Sequence, residues 1–399
     1  MEPNYSAYSL AELLDAQKHL DSVQYPQRAQ RLQQEIDLRC QRDQQLAAER
    51  DSSAAKRLVR FEFTGQKGAY FKLWIVNLLL SIVTLGIYSA WAKVRNSQYM
   101  LGHTKLDGQP FRYLAKPMQI LKGRIVAVVV LVLFTLVSQL SPFAGLLMTL
   151  GLLVATPWLI LQGMRFSMRM TAYKNVRFSF EGSYFGTLVT FVLLPMVGAF
   201  TLYLAMPWVF KKMDQYLYGN SSFGGKRFEV TTDSGPYYGA SLAAAGLAIV
   251  GFIALFSLVG VNEMVTQVGG DAEAQIQLLP ILLMYSGAFL VSFLVRSLYQ
   301  GMILNHVFEQ TQIDNVVSFE PKISVGSYVA MMTTNAAMLL GTLGLAYPVT
   351  QVRKMAFITE SVGVALHPGA QALTNTVSGD DSAFGEEAAG VFDLDLSIT

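Results

Sequence analysis

Cysteine is almost missing from this 399-residue chain: Cys40 is the only one, so neither an internal disulfide nor a cysteine-built metal cage is open to it. It lies among Arg39, Gln41 and Arg42 and reads as a free thiol in a polar helix. Histidine is nearly as scarce. His19, His103, His306 and His367 are scattered, with no His-Glu-x-x-His pair, no His/Cys metal spacing and no Gly-x-Ser-x-Gly elbow, which removes the common zinc and serine hydrolase designs. His103 sits in a basic turn, and its counterpart further along the chain is Asn220, so a structural or solvated role is expected of it. The Gly-Gly pairs at 224 and 269 read as loop chemistry, not as a phosphate cradle. Charge is thin too, at 15% of residues against roughly 25% in a soluble domain. Carboxylates are essentially missing from the apolar runs, which argues against proton-coupled transport. No catalytic residue, cofactor or metal ion is implied, and the chain reads as a non-enzyme.

What is present is hydrophobic: 52% of residues, enough to place the chain in a bilayer. Residues 1–57 are the polar exception. Ser9 with Glu12 forms a capping box ahead of Leu10, Leu13 and Leu14, and Tyr25-Pro26 opens a second helix, which predicts a cytosolic helical hairpin. The first long apolar run begins only near Tyr70, so no cleavable signal peptide is expected. Apolar runs follow at about 70–92, 125–142, 144–163, 184–210, 239–259, 278–299 and 327–350, each near the roughly 20 residues that cross hydrocarbon. The tail, 366–399, has no Lys or Arg and carries Asp380, Asp381, Glu386, Glu387, Asp393 and Asp395; it reads as an acidic flexible tail with a terminal alternating strand, "VFDLDLSI", at 391–398.

The chain repeats itself. Moving 117 residues on from Phe61, Phe63, Gly65, Trp91, Tyr99, Gly102, Gly108 and Phe111 lands on Phe178, Phe180, Gly182, Trp208, Tyr216, Gly219, Gly225 and Phe228. A shift of 258 carries Phe61, Gly68, Tyr70, Asn77, Thr84, Gly86 and Arg95 onto Phe319, Gly326, Tyr328, Asn335, Thr342, Gly344 and Arg353. Three copies of one unit are predicted: 59–164, 165–302 and a partial copy, 303–365. Each opens with a short alternating stretch ("RFEFTG", "RFSFEG", "VSFEPK") that reads as a strand, followed by an apolar helix. In the first two copies a basic segment then ends in a hairpin turned by Asp107-Gly108 or Gly224-Gly225. The third lacks that hairpin, and 391–398 is its candidate displaced strand. The fold class is therefore an all-α polytopic membrane protein with small cytosolic β elements.

Lys and Arg positions set the orientation. They flank each repeat helix on both sides, whereas 141–144 and 260–277 have none and read as outer loops. Four spanning helices plus three re-entrant ones satisfy this distribution, with Gly86, Gly344, and Pro195 with Gly198 as break points; seven spanning helices remain the alternative. Either way the N-terminus is cytoplasmic.

The segment "FEFTGQKGAYFKLWIVNLLLSIVTLGIYSAWAKVRNSQYMLGHTKLDGQPFRY", the "RFSFEGS" restart and the closing "GEEAAGVFDLDLS" resemble the YjgN-like family of bacterial inner-membrane proteins, a domain of unknown function, over about 59–399. The resemblance implies a bacterial inner (plasma) membrane location and brings no reaction with it.

Candidate site residues are the repeated ones. Trp91, Lys93, Arg95 and Tyr99, then Trp208, Lys211, Lys212 and Tyr216, then Arg353 and Lys354, follow the three repeat helices and form a basic and aromatic collar. Such a collar anchors a protein at an interface and also suits anionic lipid headgroups. Asn77 and Asn335, in mid-helix, are candidate intramembrane polar contacts that either lock packing or line a site. Membrane lipids are the expected partners, a cytosolic protein is a possible partner for 1–57, and nucleic acid is not expected. Two functions follow: a non-enzymatic scaffold or lipid-interacting protein, or alternatively an uncoupled channel or carrier for a small solute.

Overall fold

The computed structural model describes residues 10–20, 25–54, 57–259, 278–314 and 316–367. The chain divides into two compact units, Met1–Arg57 and Leu58–Thr399. In the first, helices α1 (Leu10–His19) and α2 (Pro26–Ala54) bring Leu13 against Leu32 and Ile36, which lie four residues apart on one face of α2. The Gln17 amide donates to Gln33 Oε1 at 2.6 Å beside this small core.

The second unit is organised by one eleven-stranded antiparallel sheet. In chain order its elements are β1 (Arg57–Phe63), α3 (Lys67–Val83), α4 (Ser89–His103), β2 (Thr104–Leu106), β3 (Gln109–Tyr113), α5 (Pro117–Leu140), α6 (Pro142–Arg169), β4 (Thr171–Tyr173) and β5 (Val176–Phe180). There follow α7 (Tyr184–Phe200), α8 (Met206–Gly219), β6 (Ser221–Phe223), β7 (Lys226–Arg227), β8 (Glu229–Val230), α9 (Ser234–Val259) and α10 (Leu278–Glu309). The last are β9 (Thr311–Ile313), β10 (Val317–Pro321), α11 (Val325–Gly341), α12 (Tyr347–Ser361) and β11 (Val362–Leu366).

Sheet order is β7-β6-β5-β4-β3-β2-β1-β11-β10-β9-β8. Its two edges, β7 and β8, are consecutive in the chain with only Phe228 between them, so the sheet curls round until its edges meet. One cluster records the curl: Val59, Phe61, Leu106, Phe111, Tyr173, Phe178, Phe223, Phe319 and Val364, from eight different strands, pack together. Phe111 and Tyr173 stack with centroids 4.9 Å apart, and Phe178 and Phe223 lie 4.7 Å apart. Rings two strands apart also approach, Phe61 and Phe111 to 6.1 Å and Tyr173 and Phe223 to 6.3 Å, closer than the roughly 9–10 Å between alternate strands of a flat sheet.

Every helix pair is inserted between two neighbouring strands of this sheet. Strands β1 and β2 flank α3–α4, β3 and β4 flank α5–α6, β5 and β6 flank α7–α8, β8 and β9 flank α9–α10, and β10 and β11 flank α11–α12. All five pairs therefore leave the sheet and return to it. Three of the opposite connections are tight turns built on positive φ, at Asp107-Gly108, Lys174-Asn175 and Gly224-Gly225, as a two-residue hairpin with right-handed strand twist requires.

Among the described residues four helices are long and apolar enough to cross a membrane: Pro117–Leu140, Pro142–Arg169, Ser234–Val259 and Ile281–Glu309. Most of their length is apolar surface; burial concentrates near the sheet, as in the cluster of Ala90, Val94, Ala115, Ile120, Phe166 and Met170. The other three apolar runs are not single helices. Each breaks, at 84–88, 201–205 and 342–346, and turns back to the sheet. Gly86 and Gly344 sit in the breaks at φ +90 and +89. Pro195 and Gly198 do not: α7 absorbs Pro195 through a π-helical turn at Val189–Leu193 and breaks only after Phe200, where Leu202 and Tyr203 take positive φ.

Two expectations are corrected. The small β elements are parts of one sheet that organises the whole unit, because strands of two to seven residues reveal their partners only in three dimensions. Where the third predicted unit is expected to have no strand in place of the basic hairpin, a strand does follow α12: β11 pairs with β10 from Val317↔Leu366 to Pro321↔Val362. It escaped notice because "VGVAL" has none of the basic and aromatic residues of the other copies. The alternating segment 391–398 lies outside the described residues.

Candidate functional site

The three short hairpins, α3–α4, α7–α8 and α11–α12, end in turns of the same hydrogen-bond pattern. In the first, the amide of Thr84 donates to Leu80 O, Leu85 to Ile82 O, Gly86 to Ser81 O, Ile87 to Thr84 O, Tyr88 to the Thr84 hydroxyl and Ser89 to Gly86 O. The second repeats this from Thr201 to Met206, and the third from Thr342 to Tyr347. No amide in any of the turns is left to water. Each threonine hydroxyl also donates back into its own helix, to Leu80, Gly198 or Met338, at 2.7 to 2.9 Å. The tips themselves are apolar and fully presented: Leu85 is 95% exposed, Leu202 84% and Leu343 95%.

The base of each hairpin is clamped by an aromatic residue. The Tyr99 hydroxyl accepts from Gln66 N at 2.9 Å and donates to Gln66 O at 3.1 Å, and its ring stacks on Tyr70 at 5.0 Å. Tyr216 donates to Ser183 O at 2.9 Å and meets the Thr187 hydroxyl at 2.9 Å. In the third hairpin Phe357 lies against Tyr328, with centroids 5.9 Å apart. These two tyrosines, expected in an interface collar, are engaged in joining the arms of their own hairpins.

The cations of the collar lie on the return helices. Arg95 donates to the Tyr88 hydroxyl at 2.7 Å and sits over its ring, and Tyr88 stacks on Trp91 at 6.0 Å. Lys211 donates to Ser234 Oγ at 3.0 Å, linking α8 to α9, and Lys212 to Gln215 Oε1 at 3.3 Å. Arg353 reaches Thr334 Oγ1 at 3.2 Å and Met338 Sδ at 3.7 Å on α11. Lys93, Lys354 and Trp208 are partly buried on the same helices. The structure thus spreads the collar around three hairpins and brings no two of its clusters together.

Asn77, 2% exposed, donates to Asn96 Oδ1 at 3.0 Å and ties α3 to α4, while its own side-chain oxygen, Oδ1, is buried without a partner. Asn335 is equally buried, and its Oδ1 too has none. The described histidines make local contacts: His103 Nδ1 lies 2.7 Å from Tyr99 O, His306 Nε2 accepts from Asp233 N at 3.1 Å and His367 Nε2 lies 3.3 Å from Ser318 Oγ. Among the described residues no group of three or more His, Cys, Asp or Glu is placed to hold a metal ion.

Three features escaped the sequence reading. Thr201 completes the set with Thr84 and Thr342, and the same shift of 117 residues that found the other matches finds it. Lys174-Asn175 is a turn of the same kind as Gly224-Gly225. The third is Asp214, on α8 beyond the apolar run, which accepts from the Tyr237 hydroxyl of α9 at 2.6 Å. Burial pushes its carboxyl up from 3.8 to about 6, partly offset by that hydrogen bond. A folded pKa above the unfolded one favours the native state while the group is protonated; this contribution is complete below pH 3.8 and is lost as pH rises through 6. Asp214→Asn, which keeps a neutral acceptor for Tyr237, is therefore expected to stabilise the protein at pH 8, by up to roughly 3 kcal/mol at 1.36 kcal/mol per unit, and to change little at pH 4. Thermal unfolding across pH checks this; an equal effect at both pH values would refute the assignment.

The fold and its apolar surface define a helical, polytopic membrane protein whose helix pairs spring from one curled sheet. Residues 58–391 match the family described as bacterial protein of unknown function (DUF898), and the chain belongs to that family. It is similar to the inner membrane protein YjgN of Escherichia coli O157:H7, 25% identical over 73% of this chain and 85% of that one, and to YjgN of Escherichia coli strain K12, with the same identity and coverage. YjgN of Salmonella typhimurium is 32% identical over 36% of this chain and 37% of its own. No solved structure matches. The relatives' inner-membrane names and the four candidate spans together support a bacterial inner-membrane location.

Proposed function

We propose that this protein is a non-enzymatic scaffold of the bacterial inner membrane that gathers anionic phospholipid around a cytoplasm-facing collar. The chain is read as three copies of one unit. Their helices at 67–83, 184–200 and 325–341 have 17 residues each, stand 117 and 258 positions apart and end in the same turn. One observation carries the reading: three helical hairpins present Leu tips and leave no tip amide unpaired. That combination suits hydrocarbon, where a free amide costs several kcal/mol, and is wasteful in water. An arm of 17 residues is about 25 Å long at 1.5 Å per residue, short of the roughly 30 Å hydrocarbon core, so the hairpins enter and return while the four long helices span. The sheet, to which the five helix pairs of the second unit return, then lies on the side that carries the Lys and Arg residues, the cytoplasmic side.

On this topology inner-leaflet headgroups stand level with the collar cations, which lie one to two turns from the tips on the return helices, so the tips reach roughly 10 Å into hydrocarbon; each cation is then worth roughly 1 kcal/mol toward an anionic surface. Changing Lys93, Arg95, Lys211 and Lys212 to Gln is expected to lower the phosphatidylglycerol and cardiolipin that co-purify while leaving insertion intact. Mass spectrometry of the purified protein reads this. Unchanged lipid in a correctly inserted variant removes the lipid function and leaves the cations with orientation alone.

A further inference from the structure

The hairpins of the three copies leave three seams, and the seams are filled differently. Between the first and second lie α5 and α6, packed on α4 and α7; between the second and third lie α9 and α10, packed on α8 and α11. Between the third and first no helix pair intervenes among the described residues, and α12 packs directly on α3, with Trp74 and Tyr347 6.1 Å apart.

The difference reaches one backbone position, Gly65 and its counterparts Gly182 and Ile323 117 and 258 residues on. Arg165, near the end of α6, donates to Gly182 O at 2.8 Å. Asn305, near the end of α10, donates to Ile323 O at 2.7 Å and accepts from Ile323 N at 3.1 Å. In two copies, then, a polar side chain from the preceding spanning helix plugs this strand-to-helix junction. Among the described residues no candidate span stands ahead of the first copy, and Gly65 instead lines a cleft of about 660 Å³. Lys67 of α3 and Arg353 of α12 both line it, with Met331, Val352 and Phe357 as the apolar part and Glu360, near the end of α12, as an acidic one. The volume lies in the range of ligand pockets, about 300–1,000 Å³. Arg353 spends two N–H groups on α11, and a guanidinium has five.

We propose that this cleft binds one anionic glycerophospholipid, its phosphate between Lys67 and Arg353 and an acyl chain leaving along Met331 and Val352. Direct packing of α3 on α12 closes the seam further from the sheet, so a third helix pair has no room. The opening is confined to the level at which an inner-leaflet headgroup sits, and two cations with an apolar wall complement a phosphate attached to a chain. The proposal rests on the membrane topology and lipid-binding reading above, and it adds a single site that exchanges slowly.

The test uses the full chain in nanodiscs with phosphatidylglycerol carrying a photoreactive acyl chain, followed by mapping of the cross-linked peptides. Cross-links are expected within 63–67 and 331–360. They should fall roughly tenfold or more in Lys67→Gln/Arg353→Gln, and likewise in Ala356→Phe, which fills the cleft from α12 without changing charge. The collar variant at 93, 95, 211 and 212 should keep them. Cross-links that survive both cleft variants, that map elsewhere, or that join a copurifying protein in the cleft overturn the site. If cross-links appear only at the collar, the site fails while the lipid-binding reading stands; if no lipid is captured anywhere, both fail.

Discussion

Arginine at the three hairpin tips, Leu85→Arg, Leu202→Arg and Leu343→Arg together, is expected to leave the chain without a stable bilayer-inserted form. Each leucine is almost wholly exposed in the folded chain, so in water the exchange would fall within about 0.5 kcal/mol. In hydrocarbon an arginine near mid-depth costs roughly 2.5–3.5 kcal/mol, and leucine's own small favourable term is lost. Snorkelling lowers the figure, but the tip is the point of each hairpin furthest from the cytoplasmic interface, with little backbone slack to shorten the path. Three such costs come to roughly 8–10 kcal/mol, of the order of a whole domain's stability at 5–15 kcal/mol. Single variants should each lower the yield of monodisperse protein, and the triple variant should abolish it. A triple variant with native yield and thermal stability in nanodiscs would place the tips in water and end the re-entrant topology.

The second large effect concerns Thr84, Thr201 and Thr342. Valine is nearly the same shape but cannot accept from the amides of Tyr88, Ala205 and Ala346, which the threonine hydroxyls now cap at 2.9 to 3.1 Å. An amide orphaned away from water costs roughly 1–3 kcal/mol, so each valine should lower stability by that much and the triple variant by several kcal/mol. Serine keeps the hydroxyl and should restore most of the loss, which separates the hydrogen bond from packing. Denaturation of the reconstituted protein measures both series. If water reaches the tips it will cap the amides itself, and valine will then be nearly silent.

Much of this was legible in the residues. The shifts of 117 and 258 that align Phe61 with Phe178 and Phe319 also mark the bounds of the three 17-residue helices, because the same backbone path demands similar residues at its turns. The four long helices announced themselves by apolar length. The breaks at Gly86 and Gly344 were readable from glycine's tolerance of positive φ, whereas Tyr203 holds a comparable conformation, at φ +66, with no such marker. Pro195 misled for the opposite reason: a proline interrupts one hydrogen bond, and a local π turn is enough to accommodate it.

By itself, the sequence determined that the chain belongs in a membrane, where its long apolar segments lie and where its basic residues fall along the chain. These are additive properties, carried by hydrophobicity, charge and spacing along a single line. Tertiary structure decided that strands scattered from Arg57 to Leu366 form one curled sheet, that Tyr99 and Tyr216 clamp hairpins, that Asp214 is buried against Tyr237, and that Gly65 opens on a cleft where Gly182 and Ile323 are plugged. Those facts depend on which distant segments become neighbours. A strand of three residues or a single carboxylate acquires its hydrogen-bond partner, and the energy that goes with it, only when the whole chain has closed around it.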